Sequence, residues 1–238
     1  MKIIAIGPLY NEGQKAVRVL QSFPADMVDE IVVVDDASTD GAIERIQREV
    51  AAPVTILRME KRSGPGTAIR CGIDYGLSKG AEIFVILAMN GKDNPQEITR
   101  LLAPILSGDI DFVQGSRYLR GGGNLNIPFI RLMIIKMYTL FLSMLLRRKI
   151  TDSTNGFRAF RAEMLNRNDI NLWQDWLDGY PMETYLYIKV HRSNYRVTEV
   201  PVTKTYPASK KNYSKIRPII DWWHCFKPVP LLFLGIKR

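Results

Sequence analysis

The sequence predicts an α/β fold with a mostly parallel central sheet flanked by helices. Short runs of apolar and β-branched residues alternate with segments of helical periodicity along the chain, which is typical of parallel strands joined by crossover helices. Several of these runs end in polar turns. The 238 residues are 46% hydrophobic and 24% charged, a composition that favours a globular domain with a substantial core.

The first half of the chain contains four predicted strands and three predicted helices. Each strand is a short apolar run bounded by turn residues, and Gly7 and Pro8 are expected to end the first one. The helices carry spaced apolar residues, such as Val17 and Leu20 in the first. The predicted strands are 2–6, 31–34, 54–59 and 81–87, and the predicted helices are 14–23, 41–49 and 68–77.

The second half of the chain has a less regular pattern. Pro95 stands near the start of a predicted helix, a position that suits its fixed φ angle. The glycine run 121–123 predicts a mobile loop, and 209–215 predicts a basic, polar loop. The remaining predicted elements are a helix at 96–106, a strand at 112–118, an aromatic-rich helix at 171–187 and a strand at 195–202.

Two apolar segments have two interpretations each. Residues 127–146 are mostly apolar but include Arg131 and Lys136, which fits either a membrane-surface helix or a core helix. Residues 216–234 include Trp222, Trp223 and Phe226, which fits either an interfacial anchor or a helix docked on the core. No uninterrupted run of 18 apolar residues occurs, so no membrane-spanning helix is predicted.

Polar residues follow three of the predicted strands and indicate a ligand site. Asp35 and Asp36 come directly after a buried run, where unpaired carboxylates could not stay inside the core. An ordinary strand-to-turn junction, with Ser38 or Asp40 capping the next helix, explains this pair less well. Because the carboxyl ends of parallel strands meet at one edge, the polar loops 10–13, 35–40 and 88–95 should lie together there.

The charge of the chain points to an anionic partner. The net charge is +9 and the isoelectric point is about 9.6, which suits nucleic acid, a membrane surface or phosphorylated small molecules. Nucleic acid is disfavoured because the basic residues lie among apolar runs and no nucleic-acid-binding motif occurs. Two isolated cysteines, Cys71 and Cys225, and the lack of a signal-peptide pattern predict a cytoplasmic protein with reduced thiols.

Taken in order, the loop motifs resemble those of family-2 glycosyltransferases of the GT-A fold, and most closely the branch of polyprenyl (dolichol) phosphate mannose and glucose synthases. The resemblance covers about residues 1–218. The matching segments are P-L-Y-N-E at 8–12, V-D-D-A-S-T-D at 34–40, G-P-G-T-A at 64–68, G-S-R-Y at 115–118, D-S-T-N-G-F-R at 152–158, E-V-P-V at 199–202 and S-K at 214–215.

The resemblance implies a single GT-A domain, 1–218, with an acceptor- and membrane-facing insert at about 119–150. Residues 219–238 would be an apolar tail that anchors the protein at the cytoplasmic membrane face. The implied donor is a nucleotide sugar. The residues expected to hold it are Pro8, Tyr10, Asn11, Glu12, Asp36, Ser38, Gly64, Asn90 and Lys92. The catalytic candidates are Arg117, Arg131, Arg158 and Asp93, of which the arginines suit phosphate oxygens. By the resemblance, Arg117 and Arg131 would contact the acceptor phosphate.

One motif departs from the family pattern. The family ends its fourth strand with D-x-D, whose carboxylates hold Mg²⁺ or Mn²⁺ on the donor diphosphate, whereas this chain has Ala88-Met89-Asn90. Three hypotheses follow. In the first, Lys92 partly replaces the metal as the positive charge on the diphosphate. In the second, Asn90 and Asp93 still hold a metal, with donor phosphates as further ligands. In the third, catalysis is lost and the domain only binds its ligand.

The resemblance implies inverting transfer to a polyprenyl-phosphate-type acceptor, which is already ionised and needs no general base. Ile135 stands where that branch commonly has Ser, so transfer to a hydroxyl of a glycan or small molecule remains an alternative. A hydroxyl acceptor needs a base, for which Asp178 and Glu183 are candidates. A non-catalytic nucleotide-sugar-binding protein is the third interpretation.

Overall fold

The structure, a computed structural model, describes residues 1–24, 26–165, 170–208 and 220–237. The predicted loop 209–215, including the S-K pair Ser214-Lys215, and the start of the apolar segment 216–234 lie outside the described residues. The strands within the described ranges are β1 (Ile3–Leu9), β2 (Glu30–Asp35), β3 (Thr55–Arg58), β4 (Ile83–Ile86), β5 (Phe112–Ser116), β6 (Gly123–Leu125), β7 (Arg158–Arg161), β8 (Val197–Pro201) and β9 (Thr203–Thr205).

The strands form a seven-stranded sheet in the order β3-β2-β1-β4-β7-β5-β8, and β6 pairs with β9 in a small second sheet. Strand β7 is antiparallel to both of its neighbours, whereas the other pairs of the large sheet are parallel. The prediction of a mostly parallel α/β sheet is therefore confirmed. Because β1, β2, β4 and β5 point the same way, the loops that follow them emerge at one edge, where β7 also begins.

Helices cover both faces of the large sheet. Two glycines of the helix at 65–78 allow close packing, since an added Cβ would lie 2.5 Å from Ile6 at Gly72 and 2.4 Å from Phe84 at Gly76. The helices are α1 (Gly13–Gln21), α2 (Ala42–Glu49), α3 (Pro65–Ser78), α4 (Ile98–Leu106), α5 (Phe129–Leu146), α6 (Pro181–Arg192), α7 (Ile220–Phe226) and α8 (Pro228–Phe233), with short 3₁₀ turns at Pro95–Glu97, Ala162–Leu165 and Asp175–Leu177.

The core has one apolar layer on each face of the sheet, because alternate residues of a strand point to opposite faces. Ile4 and Ile6 pack in the layer that includes α3 and α6. Ala5 and Val33 pack in the other layer, which includes α1, α2 and α4. The sheet is therefore covered by apolar side chains on both faces, next to the loops at its carboxyl edge.

Several predicted boundaries were wrong. Strand β1 continues through Gly7 and Pro8 to Leu9, because these residues remain in parallel register with β2. The predicted helix 171–187 is a 3₁₀ turn followed by α6, which starts at Pro181, directly after the turn at Gly179 with φ of 76°. Strand β6 begins within the predicted mobile loop 121–123, and an added Cβ at Gly122 would lie 2.6 Å from the Ser116 carbonyl oxygen.

Helix α5, in segment 127–146, packs on the core with one face and leaves its other face exposed. Its inner face buries Ile135, Thr139 and Leu142. Its outer face is exposed and apolar, and includes Phe129, Ile130, Met133, Met137, Leu140, Phe141 and Met144. Among the described residues, α5 is also the one helix whose length and composition would allow it to cross a membrane, which the run-length criterion did not predict.

Candidate active site

A cavity of about 330 Å³ opens at the carboxyl edge of the large sheet, a size typical of small-molecule sites. Its wall contains residues from the loops after β1, β2 and β4 and from the inner face of α5. Most of the predicted site residues line it, namely Pro8, Tyr10, Glu12, Asp36, Gly64, Asn90, Lys92, Asp93, Arg131 and Arg158. The structure thus brings together motifs that are up to 150 residues apart in the chain.

Asn11 and Ser38 do not line the cavity but join the first two loops to each other. The Asn11 backbone N–H donates to Ser38 Oγ at 2.9 Å, and the Thr39 N–H donates to Asn11 Oδ1 at 2.8 Å. Asn11 adopts a left-handed conformation with φ of 48°, which Asn tolerates better than most residues. These two predicted donor-binding residues therefore position the loops that carry Tyr10 and Asp36.

The Asp36 carboxylate holds a third loop against the cavity. It accepts hydrogen bonds from the backbone N–H groups of Ser63, at 2.6 Å, and Gly64, at 2.9 Å. Gly64 has φ of 90°, a conformation that favours glycine, and it leads into α3 at Pro65. In the same loop, the Arg62 guanidinium carbon lies 4.2 Å from the centroid of the Tyr10 ring. A stacked aromatic wall with a nearby carboxylate suits a nucleoside base and its polar groups.

The residues that replace D-x-D do not fit a divalent cation. Ala88 has no oxygen ligand in its side chain, and Asn90 Oδ1 accepts from the Lys92 backbone N–H at 3.1 Å. Asp93 is buried, and both of its carboxylate oxygens accept from Lys204 Nζ, at 2.6 and 2.9 Å. Within the described ranges, no three His, Cys, Asp or Glu residues cluster in a way that could hold a metal ion. The expectation of a metal site at Asn90 and Asp93 does not agree with this arrangement.

Basic side chains line the cavity together with the loop that follows β4. Lys92, Lys204 and Arg131 all line the cavity. Burial lowers the pKa of Lys92 to about 8, and repulsion from Lys204 and Arg131 adds to the effect. Sequence reasoning missed Lys204, which pairs with a residue 111 positions away and has no local motif signal.

Arg117 lies beneath the cavity wall rather than on it. Its guanidinium donates to both oxygens of Asp152, at 2.6 and 2.7 Å, to Tyr206 Oη at 2.8 Å and to Thr154 Oγ1 at 2.6 Å. Burial alone would lower the pKa of Arg117, but the Asp152 carboxylate more than offsets this and raises it. Since Thr154 and Tyr206 line the cavity, Arg117 supports the wall, which differs from the expected direct contact with an acceptor phosphate.

Arg158 is buried and reaches the cavity from the start of β7. It donates to the Asn155 carbonyl oxygen at 2.8 Å and to Glu183 Oε2 at 3.1 Å, while its Nε has no hydrogen-bond partner among the described residues. Burial lowers its pKa, although Glu183 opposes the shift. Of the two predicted bases, Glu183 lines the cavity, whereas Asp178 lies outside it and pairs with Arg70.

Comparison with known proteins agrees with this architecture. Residues 5–168 match the family described as glycosyl transferase family 2. An undecaprenyl-phosphate mannosyltransferase of Micrococcus luteus is 32% identical over 207 residues, covering 85% of this chain and 83% of that protein. A polyprenol monophosphomannose synthase of Mycolicibacterium smegmatis is 32% identical over 226 residues, covering 91% and 83%.

A solved structure supports the fold assignment independently. Glucosyl-3-phosphoglycerate synthase of Mycobacterium tuberculosis, a complex with Mn²⁺ and UDP, superposes with a TM-score of 0.69 at 18% identity, covering 100% of this chain and 81% of that one. At this identity the likeness concerns the fold alone. Together with the family match over most of the sheet, it shows that the chain belongs to glycosyl transferase family 2 and is a glycosyltransferase with the GT-A fold.

Proposed function

We propose that this protein transfers a sugar, with inversion, from a nucleotide-sugar donor to a polyprenyl phosphate at the cytoplasmic face of a membrane. One observation carries the proposal. One cavity is lined both by Tyr10 and Asp36, which we assign to the donor end, and by Arg131 of α5, which we assign to the acceptor end, and the outer face of the same helix is apolar and exposed. Both relatives at 32% identity are named for mannose transfer to a polyprenyl phosphate.

The donor end has the groups that a nucleoside needs. The Tyr10 ring with Arg62 provides a flat surface for a base, and Glu12 and Asp36 provide oxygen acceptors for ring N–H groups or ribose hydroxyls. Gly64, whose backbone N–H donates to Asp36, also lines this end of the cavity. The donor assignment depends on these cavity-lining residues, with Asn11 and Ser38 as positioning residues.

The acceptor end combines positive charge with apolar surface. Arg131 lies in the first turn of α5, which contains no acidic residue, and helix N-termini favour anions such as phosphate. The cavity-facing residues of α5 are Arg131, Ile134, Ile135 and Tyr138, spaced as one helical face. A phosphate at Arg131 could therefore keep its isoprenoid chain along α5 and in the lipid phase.

The outer surface of α5 suits insertion into a membrane interface. The exposed stripe at residues 130, 133, 137, 140, 141 and 144 follows helical spacing, and exposed Arg147, Arg148 and Lys149 come after it. Helix α7 packs beside α5 through Tyr138 and Phe226, whose ring centroids are 4.4 Å apart. Trp223 of α7 is 64% exposed, as an interfacial anchor would be. The insert 119–150 and the tail 219–238 would together form the membrane-facing side.

The proposed reaction is a single displacement. An oxygen of the acceptor phosphate attacks the anomeric carbon, and the bond from that carbon to the donor's β-phosphate oxygen breaks with its electron pair on the departing nucleoside diphosphate. The acceptor oxygen is already ionised, so no proton has to be removed. Arg131 would hold the acceptor, and the buried Arg158 would add positive potential to the reacting centre.

An assay with separate donor and acceptor arms tests this function. UDP-, GDP-, dTDP- and CDP-sugars are incubated with polyprenyl phosphate, with the matching polyprenol and with 3-phosphoglycerate, and the glycolipid is separated from free sugar. We expect product with polyprenyl phosphate and none with the hydroxyl acceptors. Transfer only to a hydroxyl, abolished by Glu183→Gln, would overturn the acceptor assignment in favour of a base-assisted reaction.

Variants of α5 test where the acceptor phosphate binds and which surface contacts the membrane. Arg131→Met should raise the KM for polyprenyl phosphate at least tenfold with little change in the KM for the donor, whereas the exposed control Arg48→Met should change neither. Met137→Glu combined with Phe141→Glu should abolish sedimentation with phosphatidylglycerol vesicles. Leu106→Glu, at an exposed leucine of α4, is the matched control and should bind the vesicles like the wild type.

A further inference from the structure

The loop after β4 is tied to β9 by backbone and side-chain contacts. Asp93 and Lys204 form an antiparallel bridge, and the Thr205 N–H donates to the Lys92 carbonyl oxygen at 2.7 Å. This pairing fixes the backbones on both sides of Lys92 and Lys204. The two lysines are therefore held at the cavity by regular hydrogen bonding.

Lys204 occupies the position at Asp93 that a cation would need. Its ammonium group has three N–H donors, and the three acceptors around it are the two Asp93 oxygens and Asn155 Oδ1, the last at 3.0 Å. Asp93 is therefore neutralised within the protein, at a side-chain exposure of 1%. A divalent cation would have to displace a buried, hydrogen-bonded ammonium to reach this carboxylate.

Lys92 supplies a second positive charge at the same place. Its Nζ lies 5.6 Å from the centroid of the Tyr206 ring, and its side chain lines the cavity. Around it stand two more cations, Lys204 and Arg131, against the carboxylates of Asp93 and Glu12. Since Asp93 is bound by Lys204 and Glu12 by Lys15, at 2.5 Å, the wall carries an excess of positive charge. An anionic ligand is the group that relieves such repulsion.

We propose that Lys92, backed by the Lys204–Asp93 pair, binds the diphosphate of the donor in place of a divalent cation, so that donor binding and transfer require no metal. This inference rests on the proposed nucleotide-sugar donor. Lys92 donates to a β-phosphate oxygen as the bond to the anomeric carbon breaks and negative charge develops there. Asp93 is a positioning residue, because it holds Lys204 and touches no substrate in this arrangement.

Calorimetric binding of UDP, GDP, dTDP and CDP tests the inference without any catalytic readout. The wild type should bind one of them with a Kd that differs by less than about twofold between roughly 5 mM EDTA and roughly 5 mM MnCl₂, which are saturating conditions for chelator and metal. Lys92→Met should raise that Kd at least tenfold, and Lys92→Arg should recover most of the affinity. Lys79→Met, which removes an exposed charge at the end of α3, is the matched control and should bind normally.

The variant Lys204→Met distinguishes nucleotide binding by lysine side chains from nucleotide binding through a metal ion at Asp93. Lys204→Met leaves Asp93 without its cation, so its nucleotide affinity in EDTA should fall, and Mn²⁺ should recover part of it in this variant but not in the wild type. Melting by circular dichroism checks that each variant is folded. If Lys204→Met does not fold, Lys92→Met and Lys92→Arg decide the matter.

The outcomes distinguish this inference from the proposed function. A wild type that binds nucleotide more than tenfold better with Mn²⁺, or a Lys92→Met variant with normal affinity, overturns the lysine site even if polyprenyl phosphate is glycosylated. Metal-free binding without transfer to polyprenyl phosphate supports the lysine site and overturns the acceptor assignment. Absence of binding to any nucleoside diphosphate under either condition overturns both.

Discussion

Replacing Arg117 by Met should destabilise the protein strongly, because Arg117 balances a buried carboxylate. The side chains of Arg117 and Asp152 are 2% and 0% exposed. Without the guanidinium, Asp152 keeps hydrogen bonds from the backbone N–H of residue 117, at 3.1 Å, and from Thr154, but loses its cation. Removing one partner of a buried ion pair typically costs about 3–5 kcal/mol, so we expect the free energy of unfolding to fall by that amount.

Urea unfolding monitored by circular dichroism measures the effect, with the free energy obtained by linear extrapolation. The control is Arg48→Met, which removes a 69% exposed arginine of an exposed ion pair and should change stability by less than about 1 kcal/mol. The double variant Arg117→Met with Asp152→Asn removes both charges and should be more stable than Arg117→Met alone.

The result also decides what Arg117 does in the reaction. If Arg117→Met unfolds within about 1 kcal/mol of the wild type and loses only its affinity for polyprenyl phosphate, the arginine contacts the acceptor and its role as a support of the cavity wall is refuted. If stability falls as expected, the activity that remains under folding conditions should show a donor KM and an acceptor KM close to normal. In that case the lower activity of the variant is explained by its smaller fraction of folded protein.

Two further predictions concern packing and pH. Gly72→Ala should destabilise the protein by about 1–3 kcal/mol, because the new methyl group would lie 2.5 Å from Ile6 Cγ2. The control Gly123→Ala, whose nearest contact would be at 3.8 Å, should be less destabilising. Equal melting temperatures for the two variants would contradict this. Burial, with a contribution from Arg148, lowers the pKa of His191 from 6.5 to about 4. Between these two pKa values the unfolded chain binds a proton at His191 that the folded chain does not bind. The free energy of unfolding should therefore fall by roughly 2–3 kcal/mol as the pH drops from about 7 to about 4. Urea titrations at about pH 7 and about pH 4 measure this change, and it should be absent in His191→Phe. If the free energy of unfolding of His191→Phe differs between the two pH values as much as that of the wild type, other groups cause the pH dependence. The charged groups that line the same cavity as the ring are Arg148, Lys149 and Glu199.

The sequence was sufficient to predict which loops meet at the cavity. The β-branched run Ile31–Val34 indicated a buried strand, and parallel strands place the loops that follow them at one edge of the sheet. That reasoning predicts that Tyr10, Asp36 and Asn90 lie together, and all three line one cavity. The motifs also identified the family, which the comparison confirmed.

Element boundaries and packed turns were less predictable. Residues 171–187 contain enough apolar and aromatic residues for a helix, yet the chain turns at Gly179 and the helix begins at Pro181. Local composition does not show such a boundary, since it depends on how the preceding 3₁₀ turn packs against α3 and α6. The start of β6 at Gly123 and the close approach of the Ser116 carbonyl oxygen to Gly122 are likewise not visible in local composition.

By itself, the sequence determined the α/β architecture, the edge at which the loops meet and the absence of the D-x-D carboxylates. Tertiary structure alone decided how charge is balanced at that edge. Lys204 neutralises Asp93, which is 111 residues away in the chain. Asp152 neutralises Arg117, which is 35 residues away. No sequence pattern near these residues predicts either pairing. The physical reason is that a buried charge is stabilised by whichever opposite charge the fold places next to it. The identity of that partner therefore depends on tertiary packing and not on the local motif.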